Sequence, residues 1–199
     1  MGINLKDFIK KYRAEINNRK FEEIYSLANE KLNVLDIGEL TELFYKCGVD
    51  PLKYMNRVPK SYVLNSSLKT INIPSNIVSL GSGAFGLCIS LTNVIIPDSV
   101  AIIEAGAFSR CISLTSVTIP DRVTSIEECV FWGCTSLMSV TIPDGVKSIG
   151  ERAFDGCTSL KSINYNGSKN QWDMIDLYPD WKDGSSLETI HCLDGDINL

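Results

Sequence analysis

The chain contains a 23-residue unit that recurs without insertion or deletion, and this period limits its folds more than any other feature. LTNVIIPDSVAIIEAGAFSRCIS begins at Leu91, LTSVTIPDRVTSIEECVFWGCTS at Leu114 and LMSVTIPDGVKSIGERAFDGCTS at Leu137. A looser copy, LKTINIPSNIVSLGSGAFGLCIS, begins at Leu68. Pro74, Pro97, Pro120 and Pro143 form one column. Phe85, Phe108, Phe131 and Phe154 form a second, and Cys88, Cys111, Cys134 and Cys157 a third. Units repeated at such a period are single supersecondary elements, which bury their apolar faces only by stacking on one another.

One unit shows why. In the copy from Leu114, Val117 and Ile119 lie two apart and face the same side of an extended strand, while Ser116 and Thr118 point outward. Pro120 has no N–H to give a ladder and ends the strand, and Asp121 starts a turn. Val123 and Ile126 return the chain to the core, and Val130, Phe131 and Cys134 close the coil. A lone coil buries too little to offset the entropy of ordering itself. The expected fold is therefore a solenoid with a parallel sheet along one face and apolar columns inside.

The unit closely resembles that of the BspA-like leucine-rich-repeat family, LtsvtIPdsVtsIgesAFsgCts, and residues 68–159 fit it almost throughout. Ser75-Asn76 departs from it in the first copy, and Cys129-Val130 in the third. The resemblance implies an α+β repeat protein: a leucine-rich-repeat solenoid with a parallel β-sheet face, preceded by an α-helical cap.

Three regions are expected: a helical N-terminal cap or docking domain over 1–60, the solenoid over 61–159, and a degenerate repeat with a C-terminal cap over 160–199. Open solenoid ends expose core and sheet edges, which caps must cover. Leu5, Phe8, Ile9, Tyr12 and Ile16 share a helical face, as do Phe21, Ile24, Tyr25, Leu27 and Ala28. Asp36 with Glu39 gives a capping-box signal ahead of a segment that stops at Gly48. Asp50-Pro51 reads as a further helix start. At the far end the repeat breaks after Ile163, with Trp172, Ile175 and Trp181 placed to cover the last coil. LETIHC from Leu187 reads as one more strand, and the tail after Cys192 as loosely held. Both termini resemble segments of BspA-like proteins, and a helical lead-in through Gly48-Val49-Asp50-Pro51-Leu52 resembles small phage and gut-bacterial members.

Charge is uneven. Residues 61–199 hold eight Lys/Arg against fifteen Asp/Glu, a net of −7, while residues 1–60 carry a net of +2. The acidic part disfavours nucleic acid and anionic lipid and suits a basic protein partner. No apolar run reaches the roughly 20 residues of a membrane span, and the charged N-terminus lacks a signal-peptide core. The expected location is the cytoplasm, of the host if the protein is phage-encoded.

Catalytic constellations are sparse, so a non-enzyme without cofactor is expected. The cysteine spacing follows the repeat, and His191 is the single histidine, so neither a zinc set nor a catalytic triad is legible. Gly81-Ser82-Gly83 lacks the Lys-Ser/Thr of a phosphate loop. The Asp98, Asp121 and Asp144 column is explained by turns without a calcium ion.

The informative positions are then outward-facing residues, above all those that depart from their columns. Asn72, Thr118, Thr141 and Asn164 line a polar strand face on which Ile95 is the exception. Ile102 stands where later coils have Ser125 and Ser148, while on the turn Trp132 takes the place of Gly86, Ser109 and Asp155 and Arg110 that of Leu87, Gly133 and Gly156. Trp and Arg are favoured binding anchors. These eight residues are the candidate partner contacts, Trp132 with packing against its own chain as the competing role. The expected function is a protein–protein interaction module, in its narrow form a phage inhibitor of a host defence factor. Surface adhesion and small-molecule sequestration by an oligomer are the alternatives.

Overall fold

The computed structural model describes Arg57–Val58 and residues 69–199. The helical cap read over 1–60 lies outside the described residues except at Arg57–Val58. Those two belong to the solenoid: they form strand β1 (Arg57–Val58), paired in parallel with β3 (Ser79–Leu80). Coiling therefore starts before residue 61.

Each 23-residue coil contributes two short strands at a corner set by its proline. The first strands are β2 (Thr70–Asn72), β4 (Asn93–Ile95), β6 (Ser116–Thr118), β8 (Ser139–Ile142), β10 (Ser162–Tyr165) and β12 (Thr189–Cys192). The second strands continue from β3 through β5 (Ile102–Ile103), β7 (Ser125–Ile126) and β9 (Ser148–Ile149) to β11 (Asp176–Leu177). Pairing is parallel and in the register of the repeat: Val117 lies opposite Val140, and Ile126 opposite Ile149. We number the coils 1 (69–90), 2 (91–113), 3 (114–136), 4 (137–159) and 5 (160–186).

The third side of each coil is a compact turn. Its backbone N–H groups reach the next coil at three places, as in Cys129 to Glu151 (2.9 Å), Phe131 to Ala153 (2.9 Å) and Gly133 to Asp155 (2.8 Å). To face those bonds outward the turn uses the left-handed region twice, at Gly83, Gly106, Cys129 and Arg152, and at Leu87, Arg110, Gly133 and Gly156. Glycine adopts that region freely; a side chain there costs about 1 kcal/mol.

The core is the set of columns read from the sequence. Phe85, Phe108, Phe131 and Phe154 are fully buried. They stack with centroid separations of 5.4, 5.7 and 5.4 Å. Each following cysteine donates its thiol to the phenylalanine carbonyl one coil back: Cys111 to Phe85, Cys134 to Phe108 and Cys157 to Phe131, at 3.1–3.2 Å. No disulfide joins the six described cysteines.

Coil 5 is a full coil with an insertion. Ile163 pairs with Ile190, 27 residues on, and the extra length holds a helical turn, α1 (Lys169–Trp172). Ser168 caps that turn, accepting from Gln171 N–H while the Gln171 side chain accepts from Ser168 N–H. The insertion carries Trp172 onto Tyr165 (5.2 Å, edge-on), and Trp181 meets Phe154 edge-on at 6.1 Å. Trp172, Ile175 and Trp181 are all buried, as expected of a cap. The tail after Cys192 corrects the sequence reading: β13 (Gly195–Asn198) folds back antiparallel on β12, Ile190 opposite Ile197. It covers the last sheet edge, the protection an open solenoid needs.

Candidate interaction surfaces

Along a strand, alternate residues face opposite sides, so each core column has an outward neighbour. Thr118, Thr141 and Asn164 stand side by side in register across β6, β8 and β10. His191 on β12 extends this column, opposite Asn164. Its Nδ1 lies 2.8 Å from Asp196 Oδ1 on β13. The sequence left His191 in the cap; the parallel register, which continues through the insertion, is what brings it to the face. Beside this column runs a second one of small hydroxyl residues, Ser116, Ser139, Ser162 and Thr189. Each of these coils presents the same two outward positions.

Asn72 and Ile95 pair across β2 and β4 in the equivalent positions of coils 1 and 2. Ile95 is 52% exposed. Ile102 is 55% exposed but lies on the second face, opposite Ser79, and shares no surface with the strand-face column.

Arg110 and Trp132 are brought together on the turn edge. The guanidinium sits 4.5 Å from the indole centroid, and Arg110 N–H donates to the Trp132 carbonyl at 2.6 Å. Trp132 is half-buried. This cation–π pair was not foreseen as a pair, although the residues stand 22 apart, one short of the repeat, and neighbouring turns place such residues in contact. The eight candidate residues thus fall into three places: the strand face, the second face and the turn edge.

A cavity of about 240 Å³ lies where coils 3 and 4 meet coil 5, lined by Glu127, Glu128, Glu151 and Tyr178 among others. Gly150 in its wall packs against backbone: a Cβ there would lie 2.8 Å from Glu128 N. The buried thiols are held in their protonated form. The Cys88 hydrogen bond and burial push Cys111 up, burial beside Cys157 pushes Cys134 up, and burial pushes Cys157 up to about 12. Burial also raises Cys129 and Cys192. Among the described residues no group of three His, Cys, Asp or Glu is arranged to hold a metal ion, and no helix is long and apolar enough to cross a membrane.

Parallel strands stacked coil on coil, a compact turn on the opposite side and one continuous aliphatic core with a leucine column define a leucine-rich-repeat solenoid, a class whose members are typically non-catalytic binding modules. The model of the BspA type leucine-rich-repeat region matches residues 56–174 in six copies, and the chain belongs to this family. Among solved structures, it is similar to a leucine-rich cell surface protein of Faecalibacterium prausnitzii, at 35% identity and a TM-score of 0.57. That likeness covers 62% of this chain and 33% of the other. The leucine-rich-repeat protein TpLRR of T. pallidum is 32% identical with a TM-score of 0.54, over 56% of this chain and 52% of that one. The pneumococcal vaccine antigen PcpA shares the fold at 23% identity and a TM-score of 0.52, over 64% of this chain and 31% of its own. The chain thus spans about a third to a half of these structures' lengths. No curated protein matches it in sequence.

Proposed function

We propose that the protein is a binding module that docks a protein partner on its strand face, centred on Thr118, Thr141 and Asn164 and reaching His191 at one end and Ile95 at the other. The observation that carries this reading is the register itself. It holds hydroxyl, amide and imidazole groups at fixed spacing on a rigid backbone, so little entropy is lost when they are paired. The net charge of −7 over residues 61–199 favours a basic partner over nucleic acid or anionic lipid. Arg110 and Trp132 serve mainly to fasten their own coils, so the turn edge is the lesser contact.

The test is affinity capture from the natural host with the wild-type chain, Thr141→Arg and Trp132→Ala side by side. A charged bulk at the centre of a docked face costs about 2 kcal/mol or more, about thirtyfold in affinity. A partner retained by wild type and by Trp132→Ala but lost by Thr141→Arg is the expected result. A partner that ignores Thr141→Arg refutes the assignment.

Two settings fit this activity. In the first, the protein works in the cytoplasm, and a phage-encoded blocker of a host defence factor is its narrow form, resting on likeness of fold alone. In the second, the chain acts at a cell surface, a reading favoured by its likeness to the Faecalibacterium cell surface protein. Cell fractionation with an antibody to the chain separates the two.

A further inference from the structure

Coils 1 and 2 are hydrogen-bonded along both strand faces, and so are coils 3 and 4. Between coils 2 and 3 neither face carries a ladder. The sheet ending in β4 is separate from the sheet beginning with β6, and β5 parts from β7 at the same level. The bonds that frame the ladders show the same gap. Ile73 N–H donates to Ile95 O at 3.0 Å and Ile119 N–H to Thr141 O at 2.9 Å. Among the described residues Ile96 N–H makes no counterpart to Thr118 O. On the second face Ala101 reaches Val78, Lys147 reaches Thr124 and Gly150 reaches Ile126, all at 2.8–2.9 Å. Among the described residues Thr124 and Glu127 make no such bonds to coil 2. What crosses on the strand side is long: the Thr115 N–H and hydroxyl both donate to Thr92 O, at 3.4 and 3.2 Å, against 2.9 Å for Met138 N–H to Thr115 O. Ile96 is correspondingly only partly buried, whereas Ile73, Ile119 and Ile142 in its column are buried.

The turn edge at this junction is closed. Gly106 donates to Glu128 (2.9 Å), Phe108 to Val130 (3.0 Å) and Arg110 to Trp132 (2.6 Å). The Arg110–Trp132 cation–π pair spans this same junction. Two faces without ladders and one fastened edge make the geometry of a hinge.

We propose that the solenoid is two rigid stacks, coils 1–2 and coils 3–5, which swing about the turn edge, with Arg110 on Trp132 as the latch of the hinge. Opening draws Ile95 away from Thr118 and changes the curvature of the strand face. The hinge stands whether or not that face docks a partner.

Residue-resolved hydrogen exchange on the full chain tests it. The amides of Ile96, Thr124 and Glu127 exchange at least about tenfold faster than those of Ile119, Lys147 and Gly150, while Phe108 and Arg110 stay as protected as Phe131 and Gly133. Arg110→Ala speeds exchange at Thr115 and Ile96 a further two- to fivefold, about the worth of one exposed cation–π pair, and leaves Lys147 and Gly150 unchanged. A disulfide between Asn93→Cys and Ser116→Cys, bridging the open face, abolishes that acceleration. Equal protection on the two sides of the junction overturns the hinge, and the wild-type chain alone supplies that result. An acceleration by Arg110→Ala that is uniform along the stack, or that survives the bridge, overturns it too.

Discussion

The phenylalanine stack carries a stability prediction that follows from its geometry. Phe131 is fully buried, with Phe108 at 5.7 Å on one side and Phe154 at 5.4 Å on the other. Phe131→Ala removes a buried ring from the middle coil and leaves a cavity that the fixed coil spacing is unable to close, a cost of about 3–5 kcal/mol. Against the 5–15 kcal/mol typical of a folded domain, roughly, that is enough to unfold much of the population on mild heating. Phe131→Leu keeps most of the volume and loses the two ring pairs, each worth about 0.5–1.5 kcal/mol beyond its area, for about 1–3 kcal/mol in all. The decisive measurement is a double-mutant cycle of Phe108→Leu and Phe131→Leu, by urea unfolding followed through circular dichroism. Direct stacking gives a coupling of about 0.5–1.5 kcal/mol. Strict additivity, to within about 0.3 kcal/mol, refutes the view that the rings act on each other, and reduces the column to independent apolar filling.

Other perturbations test other joints of the structure. Gly150→Ala pushes a Cβ to within 2.8 Å of Glu128 N, and the forced separation of coils 3 and 4 lowers stability by about 1–3 kcal/mol in the same urea assay. Glu104→Ala breaks the surface pair with Arg57, 2.5 Å apart, and the bond from Ser82 N–H, and lowers the unfolding free energy read by urea by no more than about 1 kcal/mol. The thiol column makes the fold sensitive to alkali. Folded Cys157 holds its proton to about pH 12, while the unfolded thiol releases it near 9. The unfolded chain is therefore the first to lose protons as pH rises. Stability is fully present below pH 9 and falls above it, by about 1.4 kcal/mol per pH unit from this thiol alone. Urea midpoints at pH 7, 9 and 10 read the slope, and Cys157→Ala removes its share.

How much was legible in the sequence depends on which physical force decided each feature. The columns fixed by apolar burial were plain, because a stacked coil must repeat its core residues at one period. Val117, Ile126, Phe131 and Cys134 all lie where alternation and spacing put them. The second strands were read only as short extended pieces, since two residues such as Ser148–Ile149 carry no alternation of their own. Backbone geometry was hidden in the same way. Leu87, Arg110, Cys129 and Arg152 occupy left-handed positions that their identities disguise, because only glycine advertises such a conformation. Arg110 therefore stands out in the sequence only as a departure from its column and a favoured anchor type, whereas its contact with Trp132 comes from a turn that brings successive coils within reach.

The ends were the least legible, because a cap is under no obligation to repeat. β13 covers its edge with Gly195-Asp196-Ile197-Asn198, a segment with one apolar residue, and its pairing is set by the two-residue link after Cys192. The same reasoning bears on the strand face. Burial constrains the inward columns and leaves the outward ones to vary, so in a repeat of this kind the outward departures are where selection for a partner can act. Thr118, Thr141 and Asn164 form a continuous polar row because their strand neighbours Val117, Ile119, Val140, Ile142, Ile163 and Tyr165 point into the core. Ile95 departs from that row on the coil whose sheets stop, so any ligand spanning Ile95 and Thr118 binds across the one described junction where both faces lack a ladder.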